Sequence, residues 1–207
     1  MLNSFQQNAD YLIGDKTDIE SLKTKTSASI LVISDSHGNP NVLKEILTKH
    51  KNCDLLCFCG DGINDLSTSI EENELLPEKD KFLPSVIACV QGNGDYNSVQ
   101  LYTDEVKYLR LPKSQIIDIA NKRIFLTHGH EYEVYYTKDF LLSKSIEINA
   151  DIVIFGHTHI PYSSIKQNKY FFNPGSCERP RGESEKSYGI ITIENQSINS
   201  SFFRITE

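Results

Sequence analysis

Residues 151–161 read DIVIFGHTHIP, an apolar run (Ile152-Val153-Ile154-Phe155) that stops at Gly156 and hands over to His157 and His159. Consecutive apolar side chains closed off by glycine suit a short strand buried on both faces. The arrangement recurs along the 207-residue chain. Residues 29–33 lead into Ser34-Asp35-Ser36-His37-Gly38, and residues 55–59 into Gly60-Asp61-Gly62. Residues 86–90 lead into Gln91-Gly92-Asn93-Gly94-Asp95, and residues 124–126 into Thr127-His128-Gly129-His130. Between the first two runs, residues 41–50 carry helical spacing (Val42, Leu43, Ile46, Leu47) after a Gly38-Asn39-Pro40 turn. Strand and helix therefore alternate in the first half, the mark of an α/β fold. The last third shifts to strands at 162–165, 170–172, 188–193 and 198–204, which predicts a second, more antiparallel sheet there.

In open α/β sheets the carboxyl ends of the strands line a common crevice where ligands sit. Five runs that end in Asp, Asn or His beside glycine thus predict one cluster. Asp35 and His37 are two residues apart, as are His157 and His159, and on extended backbone such pairs point the same way. Taken singly, each motif reads as a turn or a hydrogen-bonded histidine pair. Together, four of the six histidines, Asp35, Asp61 and Asn93 occupy the same topological position. Neutral imidazole and carboxylate in combination are typical transition-metal ligands, so the cluster predicts a metal site.

The formal net charge of −7 is spread along the chain and argues against long nucleic acid or an anionic membrane as partner. No apolar run approaches a membrane span in length, and the first residues lack the pattern of a secretory signal. Four of the five cysteines lie in or beside apolar runs and read as reduced, buried thiols; a cytoplasmic location is the expectation. Residues 1–28 read as an N-terminal extension with one helix, and 29–207 as a single domain. Residues 64–81 read as a solvated helix and loop, residues 178–186 as a flexible segment, and His50 as a helix-end partner of the dipole.

In order, Asp35-x-His37, Gly60-Asp61, Gly92-Asn93, His128 and Gly156-His157-x-His159 resemble the signature of calcineurin-like metallophosphoesterases. More closely, the chain resembles the small bacterial and archaeal phosphodiesterases of that superfamily. The likeness extends to Leu126-Thr127-His128-Gly129-His130, to Asn173-Pro174-Gly175-Ser176 and to Ser187-Tyr188-Gly189. The resemblance implies a four-layer α/β/β/α sandwich of two mixed sheets flanked by helices. It also implies two divalent ions, one on Asp35, His37, Asp61 and His159, the other on Asp61, Asn93, His128 and His157, with Asp61 bridging. The implied reaction is hydrolysis of a small phosphodiester by hydroxide activated at that dinuclear centre. Manganese is the family's usual ion; nickel, cobalt, iron or zinc suit the same ligands. Dimers are common in the family, so a homodimer is a further expectation.

One departure stands out. Many superfamily members carry Gly-Asn-His, whose histidine protonates the leaving group, whereas here Gly94 follows Asn93. The catalytic candidates are then Asp61, Asn93, Asp95 and His130. His130 is a substitute acid or else a structural histidine, and Asp95 is expected to orient a ligand histidine. Arg179 and Arg181 are candidate contacts to the second ester substituent, with a solvated loop as the plain alternative. Two other functions suit the same fold: a retromer-type interaction scaffold that has lost metal ligands, and a phosphomonoesterase. The complete ligand set favours the enzyme, and the absent histidine favours a diester.

Overall fold

The computed structural model describes residues 1–2, 4–103 and 106–206. Its helices are α1 (Lys16–Thr24), α2 (Pro40–Lys49), α3 (Ile63–Leu75) and α4 (Asp139–Glu147). The strands are β1 (Ser27–Ile33), β2 (Leu55–Phe58), β3 (Ile87–Cys89), β4 (Ser98–Tyr102), β5 (Val106–Arg110) and β6 (Ser114–Ile119). They continue with β7 (Lys122–Thr127), β8 (Ile152–Ile154), β9 (Pro161–Lys166), β10 (Lys169–Pro174), β11 (Ser187–Glu194) and β12 (Ser197–Arg204). One mixed sheet has the order β12-β11-β1-β2-β3, the other β6-β7-β8-β10-β9, and β4 and β5 form a hairpin of their own.

Period-two alternation sorts the side chains into layers. Ile30 and Val32 of β1 face the second sheet and meet Ile124, Leu126, Ile152 and Ile154 there. Leu31 and Ile33 face the opposite way, onto Leu43, Ile46 and Leu47 of α2 and Leu66 and Ile70 of α3. On the far side Phe125, Val153, Phe155 and Phe171 cover Leu141 of α4. The result is the four-layer α/β/β/α sandwich expected from the sequence. Each fully buried aliphatic side chain stabilises it by about 1.5–3 kcal/mol, and burial on both faces is why these runs lack polar alternation.

The expected separate sheet in the last third needs correction. β9 and β10 extend the second sheet beside β8, whereas β11 and β12 cross to the first, with β11 antiparallel to β1. Hydrophobic pattern reports that a strand is buried, not which strand it pairs with. His50 also departs from expectation. Its Nε2 hydrogen-bonds the Tyr188 hydroxyl at 2.8 Å, and burial, with Lys49 beside it, holds its pKa down, which works against a charge at the end of α2.

Residues 1–28 lie against the sandwich. Leu2 and Ile13 are completely buried, and the backbone of Ile13 exchanges hydrogen bonds of 2.9 and 2.8 Å with Ile87 at the β3 edge. Helix α3 was expected to be solvated, yet it buries Leu66, Ile70 and Asn73. The amide of Asn73 donates to the Leu2 carbonyl (3.1 Å) and accepts from the N–H groups of Phe82 (2.9 Å) and Leu83 (3.2 Å). Asn73→Ala leaves three buried backbone groups without this partner. It should cost about 2–3 kcal/mol, lowering the melting temperature by roughly 5–10 °C. A thermal melt within about 2 °C of wild type would show that Asn73 does not tie these segments together.

Candidate metal centre

Strands β1, β2, β3, β7 and β8 deliver their following loops to one end of the sandwich, and the predicted ligands lie on those loops. The chain does not stay extended there. Asp35 (φ 58°), His37 (φ 44°), Asp61 (φ 55°), His157 (φ 68°) and His159 (φ 60°) all adopt left-handed backbone. The paired residues therefore converge through tight turns, which corrects the extended-strand expectation. Each such residue costs about 1–3 kcal/mol unless its surroundings hold it. The glycines allow the close approach that does the holding. A Cβ on Gly92 would lie 2.1 Å from Asp61 Oδ1, and one on Gly156 would lie 2.0 Å from Ser34 Oγ.

Two sets of donor atoms converge, each within 4.8 Å: Asp35, His37 and His159, and Asp35, Asp61 and His128. His159 Nε2 is 3.2 Å from Asp35 Oδ1 and 3.2 Å from His37 Nε2. Asp61 Oδ2 stands between the sets, 4.0 Å from His37 Nε2 and 3.6 Å from His128 Nε2. Asn93 Oδ1 reaches His128 Nε2 at 3.2 Å, and the His157 ring packs edge-on to His128 with centroids 5.0 Å apart. Both tight sets share Asp35, whereas the sequence expectation shares Asp61; the Oδ2 of Asp61 nonetheless faces both halves of the cluster.

The donor chemistry fits a cation. His128 Nδ1 lies 2.7 Å from the Cys59 carbonyl and His159 Nδ1 lies 2.5 Å from the Arg179 carbonyl. A carbonyl only accepts, so both protons sit on Nδ1 and both Nε2 lone pairs turn inward. Asp35 Oδ2 accepts from the Ser34 hydroxyl and from the His157 N–H, but Oδ1 is buried without a hydrogen-bond donor when His159 is neutral. A bare carboxylate oxygen among imidazole lone pairs is repulsive unless a proton or metal ion stands between them. The titration directions carry the same message. Burial pushes the Asp35 pKa up, but the His159 hydrogen bond and the nearby imidazoles outweigh it and leave it lowered. His159 is raised, because its bond to Asp35 overcomes its own burial. His157 falls to about 4 through burial, with His128 adding to the effect, and His37 and His130 fall chiefly through burial.

The remaining candidates take other positions. The Asp95 carboxylate accepts the backbone N–H groups of Asp61 (2.7 Å), Gly62 (3.0 Å), Ile63 (3.0 Å) and Gly92 (3.0 Å). It therefore fixes the Asp61 loop and the start of α3, which corrects the expectation that it orients a histidine. His130 sits beside His128 and His157, with centroids 5.4 and 6.1 Å away, and its buried Nδ1 has no hydrogen-bond partner among the described residues. The segment expected to be flexible, 178–186, is tied down. Ser176 Oγ binds the Asp35 carbonyl and the N–H groups of Glu178 and Arg179, and Glu178 holds Asn39 and Lys186. Sequence reasoning passed over Ser34, Ser176, Asp65 and Tyr135. Asp65, buried on α3, accepts from Ser36 Oγ and the Gly38 N–H. Ser34 and Ser176 lie within the motifs, yet a serine gives no local sign of a partner distant in sequence.

The chain belongs to the calcineurin-like phosphoesterase superfamily, whose domain model matches residues 29–196, and it is a metallophosphoesterase. It is 31% identical over 176 residues to the probable metallophosphoesterase YsnB of Bacillus subtilis, covering 84% of this chain and 90% of YsnB. It is 27% identical over 184 residues to the phosphodiesterase YfcE of Escherichia coli K12, covering 82% and 94%. Among solved structures, a predicted phosphoesterase from Streptococcus pneumoniae TIGR4 superposes with a TM-score of 0.67 at 24% identity, covering 87% of this chain and 91% of that one. Vacuolar protein sorting 29 of Cryptosporidium parvum superposes with a TM-score of 0.64 at 16% identity, covering 88% and 100%. At such identities the two structures speak for the fold alone.

Proposed function

We propose that this metallophosphoesterase hydrolyses a small phosphodiester at a dinuclear centre. Asp35, His37, Asp61 and His159 would hold one ion, and Asp61, Asn93, His128 and His157 the other. Divalent ions there would supply Lewis acidity toward phosphoryl oxygens and ionise water near neutral pH. The chain's own part is to fix the donors. The Cys59 and Arg179 carbonyls set two imidazole tautomers, and the Gly94 N–H holds Asp61 Oδ1 at 2.7 Å. Gly94 brings no side chain to protonate a leaving group, which favours esters whose leaving group needs little help. The observation that carries the reading is the convergence of Asp35, His37, Asp61, His128 and His159 donor atoms, with buried Asp35 Oδ1 3.2 Å from His159 Nε2. Manganese is the ion of choice by family likeness, and the cytoplasm is the proposed setting because all five cysteines are free. Among the described residues no helix is long and apolar enough to cross a membrane. A homodimer rests on family likeness, with light scattering as its check.

The test strips the protein with a chelator and adds back manganese, nickel, cobalt or zinc. Bis-p-nitrophenyl phosphate should then be cleaved at least about tenfold faster than p-nitrophenyl phosphate, and the stripped protein should be inert toward both. Failure of every ion to restore diester cleavage, in protein shown to bind two of them, overturns the proposal. The second reading, an interaction scaffold on the same fold, becomes the better one in that event.

A further inference from the structure

The turn that carries His157 and His159 is held carbonyl by carbonyl. Gly156 O accepts from Asn173 Nδ2 at 2.7 Å, His159 O accepts from the Arg181 N–H at 3.2 Å and from Ser184 Oγ at 3.3 Å, and His157 O accepts from the Tyr135 hydroxyl at 2.9 Å. Asn173 is buried, so its hold on Gly156 is built into the core. The hold on His157 is different, because Tyr135 is 44% exposed and follows the His130–Tyr132 turn after β7. Its ring also packs edge-on against the His157 imidazole, with centroids 4.9 Å apart. Arg181, from the segment between β10 and β11, donates through Nη1 to the Tyr135 hydroxyl, and its guanidinium carbon lies 5.9 Å from the ring centroid.

We infer that Tyr135 and Arg181 are positioning residues that form a two-part latch on His157, and that they tune the metal held through His157 separately from the metal held through His159. The inference rests on the dinuclear reading above and adds an asymmetry to it. His159 is fixed by Asp35, the Arg179 carbonyl and the Arg181 backbone, none of which the Tyr135 side chain touches. His157 owes both its backbone carbonyl contact and one face of its ring to Tyr135. The Arg181 guanidinium orients the hydroxyl: an arginine only donates, so the phenol oxygen accepts from it and turns its own proton to His157 O. Loosening the latch should free the imidazole without unfolding the turn, which Asn173 and Ser184 still hold.

The experiment titrates chelator-stripped wild type, Tyr135→Phe and Arg181→Met with manganese by calorimetry, and follows diester cleavage against manganese concentration. Tyr135→Phe keeps the ring and loses the hydroxyl. It should weaken one ion by about tenfold or more, leave the other within about twofold, and regain its rate in excess manganese. Arg181→Met should move the same ion in the same direction. Rescue by excess metal separates positioning from general damage, which added metal does not repair. Unchanged affinities in Tyr135→Phe, or equal weakening of both ions, overturn the inference. Should wild type bind a single ion, the dinuclear reading fails on its own, and the latch is then judged by that ion alone: weakening supports it, constancy ends it.

Discussion

Replacing Asp61 with asparagine should slow diester cleavage by on the order of 10³-fold while the metal-free protein melts within about 3 °C of wild type. The split follows from what the two oxygens do. Oδ1 accepts the Gly94 N–H at 2.7 Å, a bond that an asparagine oxygen keeps. Oδ2 stands 3.6 Å from His128 Nε2 and 4.0 Å from His37 Nε2, and there asparagine presents an N–H₂ group. Donor hydrogens facing the inward lone pair of His128 Nε2 suit the metal-free cluster and oppose a cation. The negative charge common to both halves is lost, and the hydrogen bonds of the fold survive. Gly92→Ala reaches the same group by another route. Its backbone conformation is one that alanine adopts, but the new Cβ would sit 2.1 Å from Asp61 Oδ1 and 2.3 Å from the Asp61 backbone nitrogen, so side chain and loop must both shift, costing about 10²-fold or more in rate with no change of charge. If Asp61→Asn retained more than about a tenth of the wild-type rate, the central place given to Asp61 would be wrong.

Asp95→Ala should damage both stability and activity. Helix α3 begins at Gly62-Ile63 without a capping side chain of its own, and Asp95 supplies the cap from the loop after β3. Its second oxygen accepts from the Asp61 and Gly92 N–H groups, so one carboxylate fastens the helix start and the loops after β2 and β3 together. A carboxylate at a helix N-terminus also faces the positive end of the dipole. Removal leaves four backbone donors seeking water in a half-buried site. The expected loss is about 2–4 kcal/mol, or roughly 5–15 °C in melting temperature, together with most of the activity. Asp95→Asn keeps one acceptor oxygen and should fall between wild type and alanine. Calorimetry and the diester assay on the two variants check the order; a wild-type melt for alanine would show that the cap is dispensable.

What could be read without coordinates follows from physical cause. The five central strands were legible because burial on both faces removes polar alternation, and the convergence of aspartate and histidine at one end of the sandwich was legible because those residues follow the buried runs beside glycine. Ser34, Ser176 and Tyr135 were not, because hydroxyl residues occur throughout any surface and act here through contacts distant in sequence, such as Ser176 with the Asp35 carbonyl. The left-handed turns at Asp35, His37, Asp61, His157 and His159 were hidden for another reason: local propensity disfavours them, and only the surrounding bonds maintain them. Helix α4 escaped notice because it buries only Leu141 and Ser145, too few positions to mark a period. Strands β4 and β5 bury Leu101 and Leu109 in the core but leave Tyr102, Val106 and Tyr108 exposed, so their apolar pattern was too sparse and mixed to mark them.

The central place of β1 governs the order in which the protein can be made. Its partners are β2, which follows soon after, and β11, which pairs Ile30 with Ile191 near the other end of the chain. A ribosome therefore releases β1 to β3 long before the strand that closes the open side of β1 exists. Until then an apolar edge of the sheet stays unpaired, a template for other chains. Asp35 likewise waits for His159, and the His159 turn waits for Arg181. Closure of the first sheet and the meeting of Asp35 with His159 thus rest on contacts distant in sequence, a topology that favours slow folding.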